Sequence, residues 1–597
     1  MITATFAGAI ASCAKTGHSS SGSTFEEDGS ISLGDGGLFE NDGNPGVTFG
    51  NDASRAQAQE AGAQEAGFTG PLTGPFTDFP ASPVLDMTDG GGTTVPSNAS
   101  DLFGSSTQGA ASGGPCLIEP EVGSLYPNNW LRPRFVWTSP SENIFELRVH
   151  ADNQTNDLVV YTTDTGWTMP KAMWLALAQH SQDVPMTVSV RGGLLSGTML
   201  ANEALGSSGA IGIAPVSAPG TIVYWAVVGG QSGMGLLKGF RIGDEDVGTV
   251  LTPAEVQERP ANVPPCIGCH ASTPDGLNVG FSLGYDEGSP GAYTDSIATL
   301  GLDASPGLVP TFLTSDGRAA MDALGGIPAY SPAHWSNGDR VVLLSDVGTK
   351  LNWVNLQGTG AAATGVIARG TTDTGLATDP SWSHDGTTIV YTSAASITNG
   401  RQQSGPMDLY SVPYNNGAGG TAAPIAGASL TGVDEYYPAL SPDDKYVVYN
   451  SAPTGDNPYS DPKAQLYLVP SSGAPSGLPL RLDANDPPVC TNPQSPDPDV
   501  TNSWAKWSPS AQYVPVLGNT YYWVVFSSTR YPVGAAQGSP QLYISAVVVD
   551  SKGNMTTYHS LYLWNQPADE HNHTPAWDYF QIPPPPPPPT NPPPIPK

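Results

Sequence analysis

Residues 380–393 read PSWSHDGTTIVYTS, and the fold turns on them. A short strand runs into a tight polar turn at Asp385-Gly386, and an apolar strand follows. An Asp-Gly pair between two such runs is a hairpin signal. The same order recurs at Pro332-Ala-His-Trp-Ser-Asn-Gly through Ser345 and at Pro438-Ala-Leu-Ser-Pro-Asp-Asp through Ser451. It recurs again at Trp507-Ser-Pro-Ser510, with YYWVVFSSTR downstream. Further strands follow the copies: KLNWVNL, DLYSVP (408–413), QLYLVP (465–470) and QLYISAVVV (541–549). A repeat of strand, turn and alternating strands is what a propeller blade requires.

Two more copies frame these. His270-Ala-Ser-Thr-Pro-Asp-Gly276 with LNVGFS is a first copy, and HTPAWDYF (573–580) is a last copy with no strands after it. The strands it lacks are expected upstream, where TIVYWAVV (221–228) repeats the Thr-Ile-Val-Tyr of 388–391. The two chain ends then share one blade, which removes both open edges. Together these segments resemble the TolB-type propeller repeat, whose signature is Pro-Ala-Trp-Ser-Pro-Asp-Gly followed by two strands. The resemblance covers about 350 residues and implies a six-bladed β-propeller over 216–582.

The remaining sequence divides by composition. Residues 116–215 hold short β-branched or alternating runs such as RPRFVWTSP, NIFELRVHAD and PMTVSVRGG, with a helical pattern in KAMWLALAQ. They suit a β-sandwich and resemble a fibronectin type III or immunoglobulin-like module, with Trp130, Trp137, Trp167 and Trp174 as core anchors. Residues 14–115 are rich in Gly, Ser, Thr and Asp and are expected to form a disordered linker. Residues 583–597 are a polyproline tail. The expected class is therefore all-β: tether, sandwich, propeller, tail.

The chain carries 54 Asp+Glu against 22 Lys+Arg, a net charge of −32. Such a surface repels nucleic acid and anionic lipid. No run approaches the roughly 20 apolar residues of a spanning helix. The N-terminus MITATFAGAIASCAKTG resembles the lipobox of bacterial lipoproteins at Ile10-Ala-Ser-Cys13, although no basic residue precedes it. The resemblance implies a leader over 1–13, lipidation at Cys13, and a place in the periplasm or at the cell surface, on the outer membrane of a Gram-negative bacterium. A membrane would then be met only through the lipid anchor. Of the other cysteines, Cys116 and Cys490 either pair in an oxidising compartment or remain two buried thiols.

Cys266-Ile-Gly-Cys269-His270 has the spacing that attaches a c-type haem, with two thiols for the vinyl groups and an adjacent histidine for iron. One covalent haem c is the expectation. His270 is then the proximal ligand, His571 and His573 lead as distal candidates, and His334 and Met234 come next. A local disulfide or a redox Cys-x-x-Cys is the alternative. On this reading the motif lies in the loop entering the first inner strand, at one mouth of the channel. Tyr330, Thr378-Asp379, Tyr436-Tyr437, Asn502-Ser503 and His571–His573 ring the same mouth.

The expected role is electron transfer or redox sensing with a protein partner of the envelope, by a monomer. A propeller scaffold that binds a peptide or protein without haem is the second reading, and a haem peroxidase-like enzyme the third. Gly280-Phe-Ser282-Leu-Gly284 matches a hydrolase elbow, but it lies in an alternating strand with no helix after it, so no hydrolase triad is expected.

Overall fold

The strand TIVYWAVV is buried along seven of its eight residues, and QLYISAVVV along all nine. Alternation with one buried face does not describe them. Each such strand belongs to a sheet with a neighbouring sheet on either side, so both faces lose water and the run reads as continuously apolar. The computed structural model describes residues 67–86, 94–139, 141–228, 234–257, 266–283, 294–302, 305–345, 350–398, 402–455, 461–488, 490–491, 500–530 and 539–583.

Six sheets follow one another from residue 221 on. Blade 1 comprises Ile267–Ser272, Asn278–Leu283 and Thr294–Thr299. Blades 2 to 5 begin with the inner strands Gly325–Ala329, Leu376–Trp382, Val433–Leu440 and Asn502–Trp507. Blade 6 takes its inner strand, His571–Asp578, from the C-terminal part of the chain. This strand pairs antiparallel with Thr221–Val228, in the register Ile222↔Trp577 and Val223↔Ala576. Each inner strand contacts the next, and blade 6 contacts blade 1, so the ring is closed. The architecture is that of a β-propeller.

The turns of the repeat are built alike. Ser383 Oγ donates to Asp385 at 2.7 Å, Ser441 Oγ to Asp443 at 2.8 Å, and Thr273 Oγ1 to Asp275 at 2.6 Å. The Asp carboxylates accept backbone N–H groups two residues on, which fixes the hairpin. The last turn position needs a left-handed backbone, with Gly276 at φ 72° and Gly386 at φ 78°. In blade 4 the residue there is Asp444, at φ 60°. Its carboxylate accepts the N–H groups of His384 (2.8 Å) and Asp385 (3.0 Å) and meets His384 Nδ1 at 2.9 Å, tying blade 3 to blade 4.

Blade 2 departs from the sequence alignment. Its inner strand carries Pro328-Ala329, and Pro332–Ser336 is a single helical turn inserted before the second strand. The Pro-Ala-His-Trp match at 332–335 is therefore a look-alike. Trp335 donates from that turn to Asp275 of blade 1 at 2.7 Å.

Upstream, Cys116–Glu119, Arg134–Thr138 and Gly166–Thr168 form one sheet. Leu158–Thr162, Ile144–Ala151, Met186–Ser196 and Met199–Ile213 form the body of another. The inner faces meet through Trp137 and Phe145, ring centroids 5.4 Å apart, which makes a sandwich. Trp130, Trp137 and Trp174 are buried there, and Trp167 packs against the same core. That core continues through Trp523 and Trp577 of the propeller, so sandwich and propeller share one hydrophobic interior. Cys116 and Cys490 join them by a disulfide, Cα atoms 5.7 Å apart.

Part of the expected disordered linker is structured. Phe79 and Phe103 are buried, Val84–Leu85 pairs with the sandwich edge, and Ala99–Phe103 is a short helix. Arg191 holds this segment by donating to the carbonyls of Phe103, Ser105 and Gln108 while pairing with Glu146 at 2.7 Å. Polar composition concealed it because a few aromatic anchors and one guanidinium suffice when a preformed sheet supplies the partner surface. Residues 1–66 and 584–597, with Cys13 and nearly all of the proline tail, lie outside the described residues. Among the described residues no helix is long and apolar enough to cross a membrane.

Candidate functional site on the propeller axis

Every inner strand is interrupted at one place. The register shifts between Ile267 and His270, Gly325 and Ala329, Thr378 and Ser381, Tyr436 and Ala439, and Ser503 and Lys506. In blade 6 the shift falls opposite Val223–Trp225. A bulge adds a residue, bends the strand and re-aims a side chain. The residue re-aimed has a left-handed backbone at Asp379 (φ 49°), Tyr437 (φ 53°), Trp504 (φ 63°) and Thr574 (φ 45°). Each such conformation costs about 1 kcal/mol for a residue with a Cβ. The return is a ring of side chains at the axis.

Cys269, Tyr436, Tyr437 and Trp504 pack in one buried cluster there, with Ile327 against it. These residues come from blades 1, 4, 5 and 2, so the cluster spans the ring. Tyr437 lies 4.9 Å from Tyr436 and 4.7 Å from Trp504, centroid to centroid. Lys506 Nζ sits 5.4 Å from the Trp504 ring, within cation–π reach. Burial pulls the Lys506 amine down to about 8, opposed by the charges of Asp379 and Cys269.

The expected mouth residues divide on this geometry. Thr378-Asp379 and Tyr436-Tyr437 stand where the repeat alignment puts them. Tyr330 does not: it lies at the turn end of its strand, against Trp335 at 5.6 Å. Ile327 takes the axis in its place because the inserted helical turn displaced the alignment. In blade 5, Trp504 is at the axis, while Asn502 is fully buried and accepts from Arg530 at 2.9 Å.

The motif residues go to different places. Positions 267–270 lie in the inner strand itself and not in a loop before it. Cys269 belongs to the axis cluster. Cys266 packs in the seam between blades 6 and 1 with Trp225, Val223 and Phe580. A Cβ on Gly235 would come within 2.7 Å of Cys266 Sγ, a measure of how closely the seam is packed. His270 is buried and donates from Nε2 to the Val223 carbonyl at 3.2 Å. Burial lowers its pKa to about 4.

One haem would require both sulfurs at the same porphyrin edge and an imidazole lone pair turned toward iron. A helix brings residues three and four apart onto one face, whereas an extended strand separates them. Here one sulfur faces the seam, the other faces the axis, and His270 Nε2 bears a proton. The residues as placed do not fit the group.

The distal candidates separate as well. His573 is buried against Trp225, 4.3 Å between centroids, and burial takes its pKa to about 3. His571 begins the same strand, half-buried. His334 is on the inserted turn, 4.6 Å from Trp382 and within 3.2 Å of the Gly386 carbonyl, at the end of the blades away from His571. The Met234 side chain lies outside the described residues.

Lys506 is the site residue that sequence reading missed. A signal for it exists. The position after the bulge is Ala271, Ala329, Ser381, Ala439 and Ala576 in the other blades, and lysine only in blade 5.

No family model matches the chain, and no curated protein matches it. Among solved structures it is similar to a TolB from Agrobacterium tumefaciens, with a TM-score of 0.30 and 16% identity, covering 60% of this chain and 98% of that one. It is also similar to Kuenenia stuttgartiensis hydrazine synthase (TM-score 0.24, 11% identity, 48% of this chain and 64% of that one). A third is an endo-arabinanase from Bacillus licheniformis (TM-score 0.25, 14% identity, 48% and 95%). The propeller assignment rests on the sheet order and the closed ring.

Proposed function

We propose that this chain is a propeller scaffold of the cell envelope that binds a peptide or protein partner at the axis, without haem. The observation that carries this reading is the bulge ring. Six equivalent positions hold six different residues, and four of them (Asp379, Tyr437, Trp504 and Thr574) accept left-handed backbone to stand there. Aromatic faces beside a carboxylate and an amine supply contact area and orienting polar groups, the usual make-up of a recognition site. The Cys116–Cys490 disulfide supports work in an oxidising compartment, as the lipobox resemblance at Cys13 does.

The test uses full-length protein from a host with c-type cytochrome maturation. The reading expects no haem stain on denatured protein. It also expects a peptide library to yield ligands that quench tryptophan fluorescence. Tyr437→Ala and Trp504→Phe should weaken those ligands at least tenfold. Covalent haem retained by wild type and lost in Cys266→Ala would overturn the reading in favour of electron transfer. Ligands indifferent to both axis substitutions would overturn the assignment of the axis.

A further inference from the structure

The sandwich and blade 5 meet at a buried carboxylate. Glu121 follows the strand Cys116–Glu119 and faces two basic side chains of the propeller. Its Oε1 lies 3.3 Å from His559 Nδ1, and its Oε2 lies 3.4 Å from Arg530 Nη1. Both separations exceed the roughly 2.7–2.9 Å of a charge-assisted hydrogen bond. The carboxylate is thus shared between two partners and closed on neither. Ser560 Oγ bridges the group, accepting from Arg530 at 2.7 Å and donating to Glu121 at 3.1 Å. The His559 ring lies against Gly123, where a Cβ would come within 2.6 Å of its Cδ2. The His559 N–H donates to the Gly123 carbonyl at 3.3 Å. The other charges acting on His559 are Asp483 and Asp486, beyond the last strand of blade 4, and Asp486 is paired with Arg481 at 2.7 Å.

Arg530 carries the contact inward. Its Nη2 donates to Asn502 Oδ1 at 2.9 Å. The Asn502 carbonyl accepts from Asn450 Nδ2 at 2.6 Å, and Asn450 Oδ1 accepts the Trp504 N–H at 3.0 Å. All four side chains are buried. Trp504 is the axis residue with φ 63°, so this N–H bond helps to hold a strained backbone. A contiguous chain of buried hydrogen bonds is a physical route for coupling two places. We propose that His559 and Glu121 form a proton-operated clasp between sandwich and propeller, which sets through Arg530, Asn502 and Asn450 how firmly Trp504 is held at the axis. With His559 protonated, Glu121 stands between two cations and Arg530 stays on Asn502. When His559 gives up its proton, the carboxylate has one cation left and closes on Arg530, drawing the guanidinium away from Asn502. The clasp is tight on the acid side. The Glu121 contact raises the His559 pKa above its usual 6.5 against the opposing effect of burial, so the proton is kept below 6.5 and lost as pH rises through the raised value. What Trp504 does for a ligand rests on the axis reading above; how Trp504 is held rests on these bonds alone.

The experiment measures amide hydrogen exchange of the full-length protein by mass spectrometry, over the strand Asn502–Trp507, at pH 6 and pH 8.5. Each rate is divided by the intrinsic exchange rate at that pH. Protection of this strand in wild type should fall about fivefold from the lower pH to the higher. His559→Gln, neutral at both pH values, should show the lower protection at both, and Glu121→Gln should likewise lose the pH dependence. Unchanged protection in wild type overturns the proposal without any variant. A fall of equal size in His559→Gln also overturns it, since another titrating group is then responsible. Peptide ligands of the axis should bind wild type about fivefold more tightly at pH 6, with the difference gone in His559→Gln. If no peptide binds, the axis reading falls, and the exchange ratio by itself upholds or overturns the clasp.

Discussion

The two ends of each inner strand obey different rules. At the turn end the blades repeat one another: Thr273–Asp275, Ser383–Asp385 and Ser441–Asp443 make the same hydroxyl-to-carboxylate bond. At the bulge the backbone repeats and the side chains do not. Cys269, Ile327, Asp379, Tyr437, Trp504 and Thr574 share a structural position and little chemistry. Repetition within one chain marks what every blade needs in order to fold. Variation at a fixed and strained position marks what the blades need as a set. The peptide reading draws on that second group.

The largest stability loss should come where the ring meets the sandwich. Trp577 is buried in the shared core and donates to the Pro219 carbonyl at 2.8 Å. Trp577→Ala should cost about 3–5 kcal/mol in denaturant unfolding. A loss below about 1 kcal/mol would mean that the two halves are not one cooperative unit. The Cys116–Cys490 disulfide spans 374 residues of sequence. Replacing both cysteines by serine should cost about 2–4 kcal/mol, with unfolding then splitting into two transitions if the disulfide rather than the core couples the halves.

Stability should depend on pH from both sides. Glu435 of blade 4 is fully buried, and desolvation raises its pKa to about 8 although Leu430 N–H donates to it at 3.1 Å. The native state therefore keeps a proton that the unfolded chain has lost, and stability declines as pH rises from about 4.5 to about 8. His270 and His573 act oppositely. Their native pKa values near 4 and 3 lie below the unfolded value, so stability falls as pH drops below about 6.5. Glu435→Gln keeps an acceptor for Leu430 and should remove the alkaline decline, raising the melting temperature by several degrees at pH 8.5 and not at pH 5. Parallel melting curves for the two proteins would refute this.

The smallest effects give the sharpest contrast between the two strand ends. Asp385→Ala removes three bonds of its turn, from Ser383, Thr387 N–H and Thr387 Oγ1, and should cost about 1–2 kcal/mol. Asp379→Asn at the axis should change stability by less than about 0.5 kcal/mol while weakening peptide ligands of the axis at least fivefold. Equal stability losses would mean that the axis residues are structural like the turns.

Much of this was legible before any coordinates. Asp-Gly turns and β-branched runs are local signals, so the repeats declared the blades. Thr-Ile-Val-Tyr at both 221–224 and 388–391 even pointed to strand exchange between the chain ends. The segments 67–86 and 94–115 were not legible, because their order is borrowed from Arg191 and the sandwich edge. Blade 2 misled because a Pro-Ala-His-Trp helical turn imitates the repeat that its true inner strand, ending in Pro328-Ala329, carries more faintly. The placement of the Cys-x-x-Cys-His residues was hidden for a related reason. Spacing of three and four implies convergence only on a helix, and the sequence alone does not say that residues 267–270 are extended.

Local chemistry thus determined the turns, the strands and the way the chain is divided, since each depends on neighbours a few residues away. The tertiary structure decided which side chains meet. A bulge of one residue sends Cys269 to the axis and leaves Cys266 and His270 in a seam. Ring closure then brings Cys269, Tyr437 and Trp504 from three blades into one cluster. Residues more than a hundred positions apart become neighbours only when six sheets close around a common centre.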